Sequence, residues 1–178
     1  EMMRSLKQKY NTSLLMITHD LGIVAEICDE VAVVYAGRIV EKGTLEDVFD
    51  HTRHPYTQGL FRSLPNMEDR TARLKPIKGL MPDPSNLPEG GAFCPRCNYA
   101  TERCQKEKPK AVWRNEHHYV ECHLYDEENI KSGEVLNSKP LLQVENLKKY
   151  FRTKSGILHA VDDVSFTIDE GKTLGVVG

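Results

Sequence analysis

Residues 13–20 read Ser13-Leu14-Leu15-Met16-Ile17-Thr18-His19-Asp20. Leu14 to Thr18 is a continuous apolar run of strand length, as expected for a buried strand of an α/β sheet. Asp20 can cap a helix that starts directly afterwards, with Leu21, Val24, Ala25 and Cys28 on one face. The strand therefore delivers His19 to its carboxyl end, where open α/β sheets bind ligands. An imidazole there can donate to a phosphate oxygen or orient a water. It can equally well cap the next helix, and a single histidine does not choose between the two.

Working outward, Met2, Leu6 and Tyr10 are spaced four apart, the spacing of a helix face. Val31 to Tyr35 predicts a second buried strand, and Ala36-Gly37 a turn into Arg38–Glu41, so a hairpin is expected. Thr44 with Asp47 approximates a capping box. Pro55 suits the first turn of a helix running to about Leu64. Residues 65–90 hold five prolines and predict extended loop. Asp126 to Lys139 is polar and predicts a linker. Beyond it the pattern turns to strand, in Leu142-Gln143-Val144, in Val164-Ser165-Phe166-Thr167-Ile168 and in the buried run Thr173–Val177 that ends at Gly178. Both ends look α/β and the middle looks like neither.

The chain has 178 residues, 39% hydrophobic and 28% charged, which is a globular balance on the polar side. A formal charge of −2 gives no general pull toward nucleic acid or anionic lipid. The longest apolar runs fall far short of a membrane span, and Glu1-Met2-Met3-Arg4 opens no signal-peptide core. Four of the five cysteines lie between Cys94 and Cys122, so they suggest a metal site before a disulfide framework. Their spacing, Cys94-x2-Cys97-x6-Cys104-x17-Cys122, matches neither a compact ferredoxin run nor an evenly paired zinc ribbon. Four thiolates can hold zinc or an iron–sulfur cluster, and a metal-free thiol cluster is the alternative. His117, His118 and His123 are spare donors.

The run from Leu14 through His19-Asp20-Leu21 to Val31-Ala32-Val33-Val34-Tyr35-Ala36-Gly37-Arg38-Ile39-Val40-Glu41-Lys42-Gly43 resembles ABC ATPases from their switch histidine onward. The resemblance implies that His19 contacts the γ-phosphate of ATP held, with Mg²⁺, between two subunits. His54-Pro55-Tyr56-Thr57-Gln58-Gly59-Leu60-Phe61-Arg62-Ser63-Leu64-Pro65 resembles the tail of the oligopeptide and dipeptide importer branch. Phe93-Cys94-Pro95-Arg96-Cys97, Cys104 and Glu121-Cys122-His123 resemble that tail as well. In some members it carries a four-iron cluster, which places iron–sulfur ahead of zinc on Cys94, Cys97, Cys104 and Cys122. One departure stands out: the family's first cysteine falls where this chain has Gly91, with Cys94 three positions away.

Leu141 to Phe151 and Ala160 to Gly178 resemble the start of an ABC ATPase. That start implies an adenine-stacking aromatic, Phe151 first and Tyr150 second, and a phosphate-binding loop opening at Gly178. The expected organisation is the back part of one nucleotide-binding domain in 1–64, a cysteine-rich extension in 65–125, a linker in 126–140 and the front of a second domain in 141–178. The implied fold is a partial ABC nucleotide-binding α/β fold, with a loop-rich extension and an antiparallel β start of the second domain. The implied partners are membrane permease subunits, a second ATP-binding subunit or domain and, indirectly, an extracytoplasmic peptide-binding protein, with no nucleic acid. The implied location is the cytoplasmic face of the membrane, held peripherally. Residues 1–178 contain no Gly-x4-Gly-Lys-Ser/Thr, so the segment alone is expected to be inactive. A non-enzymatic module that binds zinc or iron–sulfur, regulatory or interacting, is the competing function. The resemblance also implies that the strand before the phosphate loop lies beside and parallel to the strand of the switch histidine. Strands 14–18 and 173–177, each apolar on both faces, are therefore expected to pair in one permuted sheet, with the cysteine region hanging off it. The competing outcome is two separate fragments joined by the Asp126–Lys139 linker.

Overall fold

The computed structural model describes residues 2–63, 76–128, 140–154 and 156–178. Residues 64–75 of the predicted helix end and loop, and 129–139 of the predicted linker, lie outside the described residues. In chain order the elements are α1 (Met2–Tyr10), β1 (Leu14–Ile17), α2 (Leu21–Ile27), β2 (Glu30–Tyr35), β3 (Arg38–Thr44), α3 (Leu45–Phe49), α4 (Pro55–Arg62), α5 (Glu102–Lys106), β4 (Ala111–Trp113), β5 (Tyr119–Glu121), β6 (Pro140–Thr153), β7 (Gly156–Asp169) and β8 (Thr173–Val177). Short 3₁₀ turns occupy Cys94–Arg96 and His123–Glu128. The second of these carries ordered backbone into the first residues of the predicted linker.

Six strands form a mixed sheet in the order β1-β8-β2-β3-β5-β4. β8 lies parallel to β1, with Leu14 opposite Thr173 and Ile17 opposite Val176, and parallel to β2, with Val31 opposite Gly175. The seam is closed at both ends. Leu14 N–H donates to the Lys172 carbonyl at 3.0 Å, and Thr18 N–H to the Val176 carbonyl at 3.0 Å. Asp29 accepts from Thr173 N–H at 2.6 Å and pairs with Lys7 of α1. β2 lies inside the sheet, and its apolar run from Val31 is covered on both faces, with Val31, Ala32, Val33 and Tyr35 buried.

β1 departs from its sequence reading. It is an edge strand, and Leu15 and Ile17 are 44% and 78% exposed. Apolarity on both faces does not bury a strand; a neighbour on each face does, and β1 has one covered face only.

The Ala36-Gly37 turn is a two-residue hairpin with positive φ at both positions, 49° and 80°, the geometry that suits strand twist. Gly37 is required twice over. A Cβ there would meet the Ala160 carbonyl oxygen at 2.9 Å, because the β6–β7 ribbon packs on the turn. At Gly175 a Cβ would meet Cys28 Sγ at 2.8 Å, so glycine lets α2 lie directly on β8.

Two clusters cover the sheet. One joins Leu21 and Val24 of α2 and Cys28 at its C-cap to Val31, Val33, Tyr35, Val48, Tyr56, Phe93 and Val177. Ala25, assigned to that face from spacing, is exposed. The other joins Ala32, Ile39, Tyr119 and Leu174 to Val164 and Ile168 of the ribbon. The cysteine region is built into the sheet: β5 pairs with β3 through Glu41–Val120 and Lys42–Tyr119, and β4 pairs with β5.

A buried carboxylate fastens this region. Glu41, fully buried on β3, accepts from Arg53 N–H at 2.7 Å and His54 N–H at 3.1 Å, and lies 3.0 Å from His118 Nε2. His118 Nδ1 lies 3.8 Å from Asp47, which completes the capping box with Thr44. Glu41→Ala leaves these buried donors without an acceptor. It is expected to lower unfolding free energy by about 3 kcal/mol, read from urea or thermal unfolding.

Candidate functional site

β1, β8 and β2 run parallel, so their carboxyl ends open on one side. A cavity of about 570 Å³ lies there, lined by Thr18, His19, Tyr35, Gly37, Tyr56, His159 and Gly178 among others. His19 and Gly178, proposed from opposite ends of the sequence, therefore meet on one cavity. His19 is exposed just beyond β1, and Asp20 caps α2 through bonds from Gly22 N–H at 2.9 Å and Ile23 N–H at 3.2 Å. Asp20 thus supplies the helix cap, and the His19 imidazole is not needed for it.

The two predicted adenine-stacking rings stand outside this cavity. Phe151 is 46% exposed on β6, with Lys149 Nζ 5.0 Å from its ring centre. Tyr150 pairs with His159 across the ribbon, their ring centroids 4.2 Å apart. Tyr35, Tyr56 and His159 line the cavity and were not singled out from sequence. Tyr35 ends a strand parallel to that of His19, which is the sequence signal that could have found it.

Tyr35 also belongs to an aromatic cluster. Its ring lies 4.5 Å from Tyr56 and 5.2 Å from Phe93, and its hydroxyl accepts from Arg96 Nη1 at 3.3 Å. Phe93 and Arg96 belong to the cysteine loop, so this cluster joins the strand ends to the second cavity.

That second cavity, of about 70 Å³, is lined by Cys94, Cys97, Cys104 and Cys122 together with Tyr35, His54 and Phe93. The fold thus gathers all four candidate ligands around one space. Burial raises the Cys94, Cys97 and Cys122 thiols, that of Cys122 to about 11, so these groups are neutral near pH 7. The donor chemistry suits a soft metal, but the positions do not. Among the described residues no three His, Cys, Asp or Glu side chains converge to hold a metal ion. Two of the three nearby histidines are otherwise engaged: His118 bonds Glu41, and His123 lies 3.1 Å from both Asp126 Oδ2 and the Glu107 carbonyl.

A family model described as "Oligopeptide/dipeptide transporter, C-terminal region" matches residues 40–104. The chain is similar to ATP-binding proteins of oligopeptide and dipeptide transport. It is 45% identical over 133 residues to the oligopeptide transport ATP-binding protein AppD of Bacillus subtilis, a match covering 75% of this chain and 40% of the relative. Identity to the oligopeptide transport ATP-binding protein OppD of Haemophilus influenzae is 48% over 104 residues, covering 58% and 32%. Identity to the dipeptide transport ATP-binding protein DppD of Caldanaerobacter subterraneus is 40% over 127 residues, covering 71% and 39%. The matched part spans about two fifths or less of each of these relatives. No helix among the described residues is long and apolar enough to cross a membrane.

His54 explains part of the importer-type motif. It is buried, and its Nδ1 accepts from Tyr56 N–H at 3.1 Å, capping α4 ahead of Pro55. Burial lowers its pKa to about 3, so the folded protein holds it neutral. The unfolded chain takes up that proton below pH about 6.5 and the folded chain does not, so stability falls as pH drops from about 6.5 toward 3. The expected slope from His54 is up to about 1.4 kcal/mol per pH unit. His54→Asn, which can still cap, should flatten it in urea titrations across pH 5–7.

Proposed function

We propose that these residues are part of the ATP-binding subunit of an ABC importer for oligopeptides or dipeptides, coupling ATP hydrolysis to solute uptake. The observation that carries the reading is the meeting of His19 and Gly178 on one cavity at the carboxyl ends of parallel strands. A phosphate loop continuing from Gly178 would hold the nucleotide phosphates with Mg²⁺, and His19 would donate to the γ-phosphate from the neighbouring strand. In this reading residues 1–64 correspond to the back of one nucleotide-binding domain, 65–125 to its extension and 141–178 to the front of another, and the His19–Gly178 cavity stands in for the site that each complete domain would form from its own two halves. Permease subunits, a second ATP-binding subunit or domain and, indirectly, an extracytoplasmic peptide-binding protein are the partners, with the ATPase peripheral on the cytoplasmic face. The relatives named for oligopeptide and dipeptide transport support the solute class.

The test is His19→Ala in the full-length ATPase. Hydrolysis should fall by about 100-fold or more with nucleotide affinity nearly unchanged, the pattern of a contact made in the transition state. Affinity falling in step with turnover would instead make His19 a structural residue.

A further inference from the structure

A third cavity lies where β3, β4 and β5 face the β6–β7 ribbon. It measures about 460 Å³, within the size range of small-molecule sites, and Ile39, Trp113, Tyr119, Val144 and Phe166 give it an apolar and aromatic wall. We propose that it binds a linear oligoamine, a chain of methylenes carrying several ammonium groups. The proposal does not rest on the nucleotide reading above.

A buried hydroxyl first points to a ligand. Tyr119 is 9% exposed and lines this cavity, yet its hydroxyl has no hydrogen-bond partner among the described residues. Burial, and after it the Glu121 carboxylate, push that phenol above its usual range, so it stays neutral and can accept an N–H. A buried hydroxyl left unpaired costs free energy, and an ammonium donor removes that cost. Charge then selects the ligand. Six carboxylates line the cavity, and its lysine and arginine are already paired, Lys42 with Glu30 at 2.7 Å and Arg38 with Glu121 at 3.2 Å. Asp163 lies 3.6 Å from Lys148. Glu116, Glu145 and Asp169 have no cation within ion-pair distance among the described residues. They stand on three separate elements, the β4–β5 turn, β6 and the end of β7, so one ammonium cannot answer all three. A cleft lined by one sign of charge focuses its field on a counter-ion. The wall between these carboxylates suits the spacers of such a cation. The Trp113 and Tyr119 rings lie 5.0 Å apart, and aromatic faces attract ammonium groups while apolar side chains cover methylenes.

Trp113 is the chain's only tryptophan, so its fluorescence reports on the site. Spermidine added to the 178-residue chain at low salt should shift Trp113 emission and raise Tm, because it joins the ribbon to the β4–β5 hairpin. n-Butylamine, a single ammonium on an aliphatic chain, should bind at least about tenfold more weakly. Tyr119→Phe keeps the ring and removes the acceptor. It should weaken spermidine about tenfold by calorimetry, the size of one hydrogen bond to a charged group. Glu116→Gln, at an exposed position that leaves the fold intact, should also weaken spermidine and leave n-butylamine less affected. A wild-type chain whose Trp113 emission and Tm ignore spermidine would overturn the proposal, and so would Tyr119→Phe binding as tightly as wild type. Mg²⁺ that displaces spermidine at equal concentration would reduce the site to general counter-ion binding and overturn it as well. Tighter binding of the tripeptide Lys-Lys-Lys, of equal net charge, would overturn the oligoamine and give the cavity to a basic peptide segment.

Discussion

The two-sided pairing of β8 is the interaction on which the rest of the structure depends. Thr173–Val177 comes from the far end of the chain and slots between β1 and β2, parallel to both. Without it β1 has no neighbour in the sheet, and α2 loses the Gly175 backbone on which it lies. Leu174 and Val177 are almost fully buried, and such side chains contribute about 1.5–3 kcal/mol each on leaving water. The long intervening chain adds little to the cost, because closure entropy grows only logarithmically with loop length.

The ribbon that precedes β8 is anchored by the same insertion. β6 and β7 would expose both faces if left alone, and a lone two-stranded ribbon is marginal in water. Val164 and Ile168 pack over the face of the sheet formed by Ala32, Ile39 and Leu174. A charged seam adds direction: Arg38 of β3 holds Glu121 of β5 through two 3.2 Å bonds and also reaches Asp162 of β7. Asp162 N–H donates to the Gly37 carbonyl at 2.8 Å. Three segments distant in sequence thus meet at the β2–β3 turn, the wall that carries His159 toward the strand ends.

The cysteine segment is held from the other side. Glu41 draws the Arg53–His54 backbone and the His118 ring onto β3, and Phe93 fits between His54, Tyr35 and Tyr56. A fully buried carboxylate is tolerable only because three donors surround it. Tyr35 lines both the thiol cavity and the strand-end cavity, so the two spaces share a side chain.

The sequence alone determined the elements with local signatures. Pro55, the Thr44–Asp47 pair and the Ala36-Gly37 turn carry their geometry in a few neighbouring residues, and each forms as read. The apolar runs at 14–18 and 173–177 announced strands that need neighbours, and the family resemblance implied that they lie parallel to each other. The sequence also supplied His19 and the four cysteines as chemistry-bearing residues and put Gly178 at a strand end. Tertiary structure decided what depends on distant partners. Ala111–Trp113 and Tyr119–Glu121 are too short to declare themselves, and they become strands because the free edge of β3 is there to pair with Val120 and Tyr119. β1 is an edge because burial is set by what packs on a strand, not by its composition. His159 lines the strand-end cavity, and Phe151 does not, because neighbouring residues of a ribbon face opposite ways and only the docking of that ribbon on Gly37 decides which positions border the site.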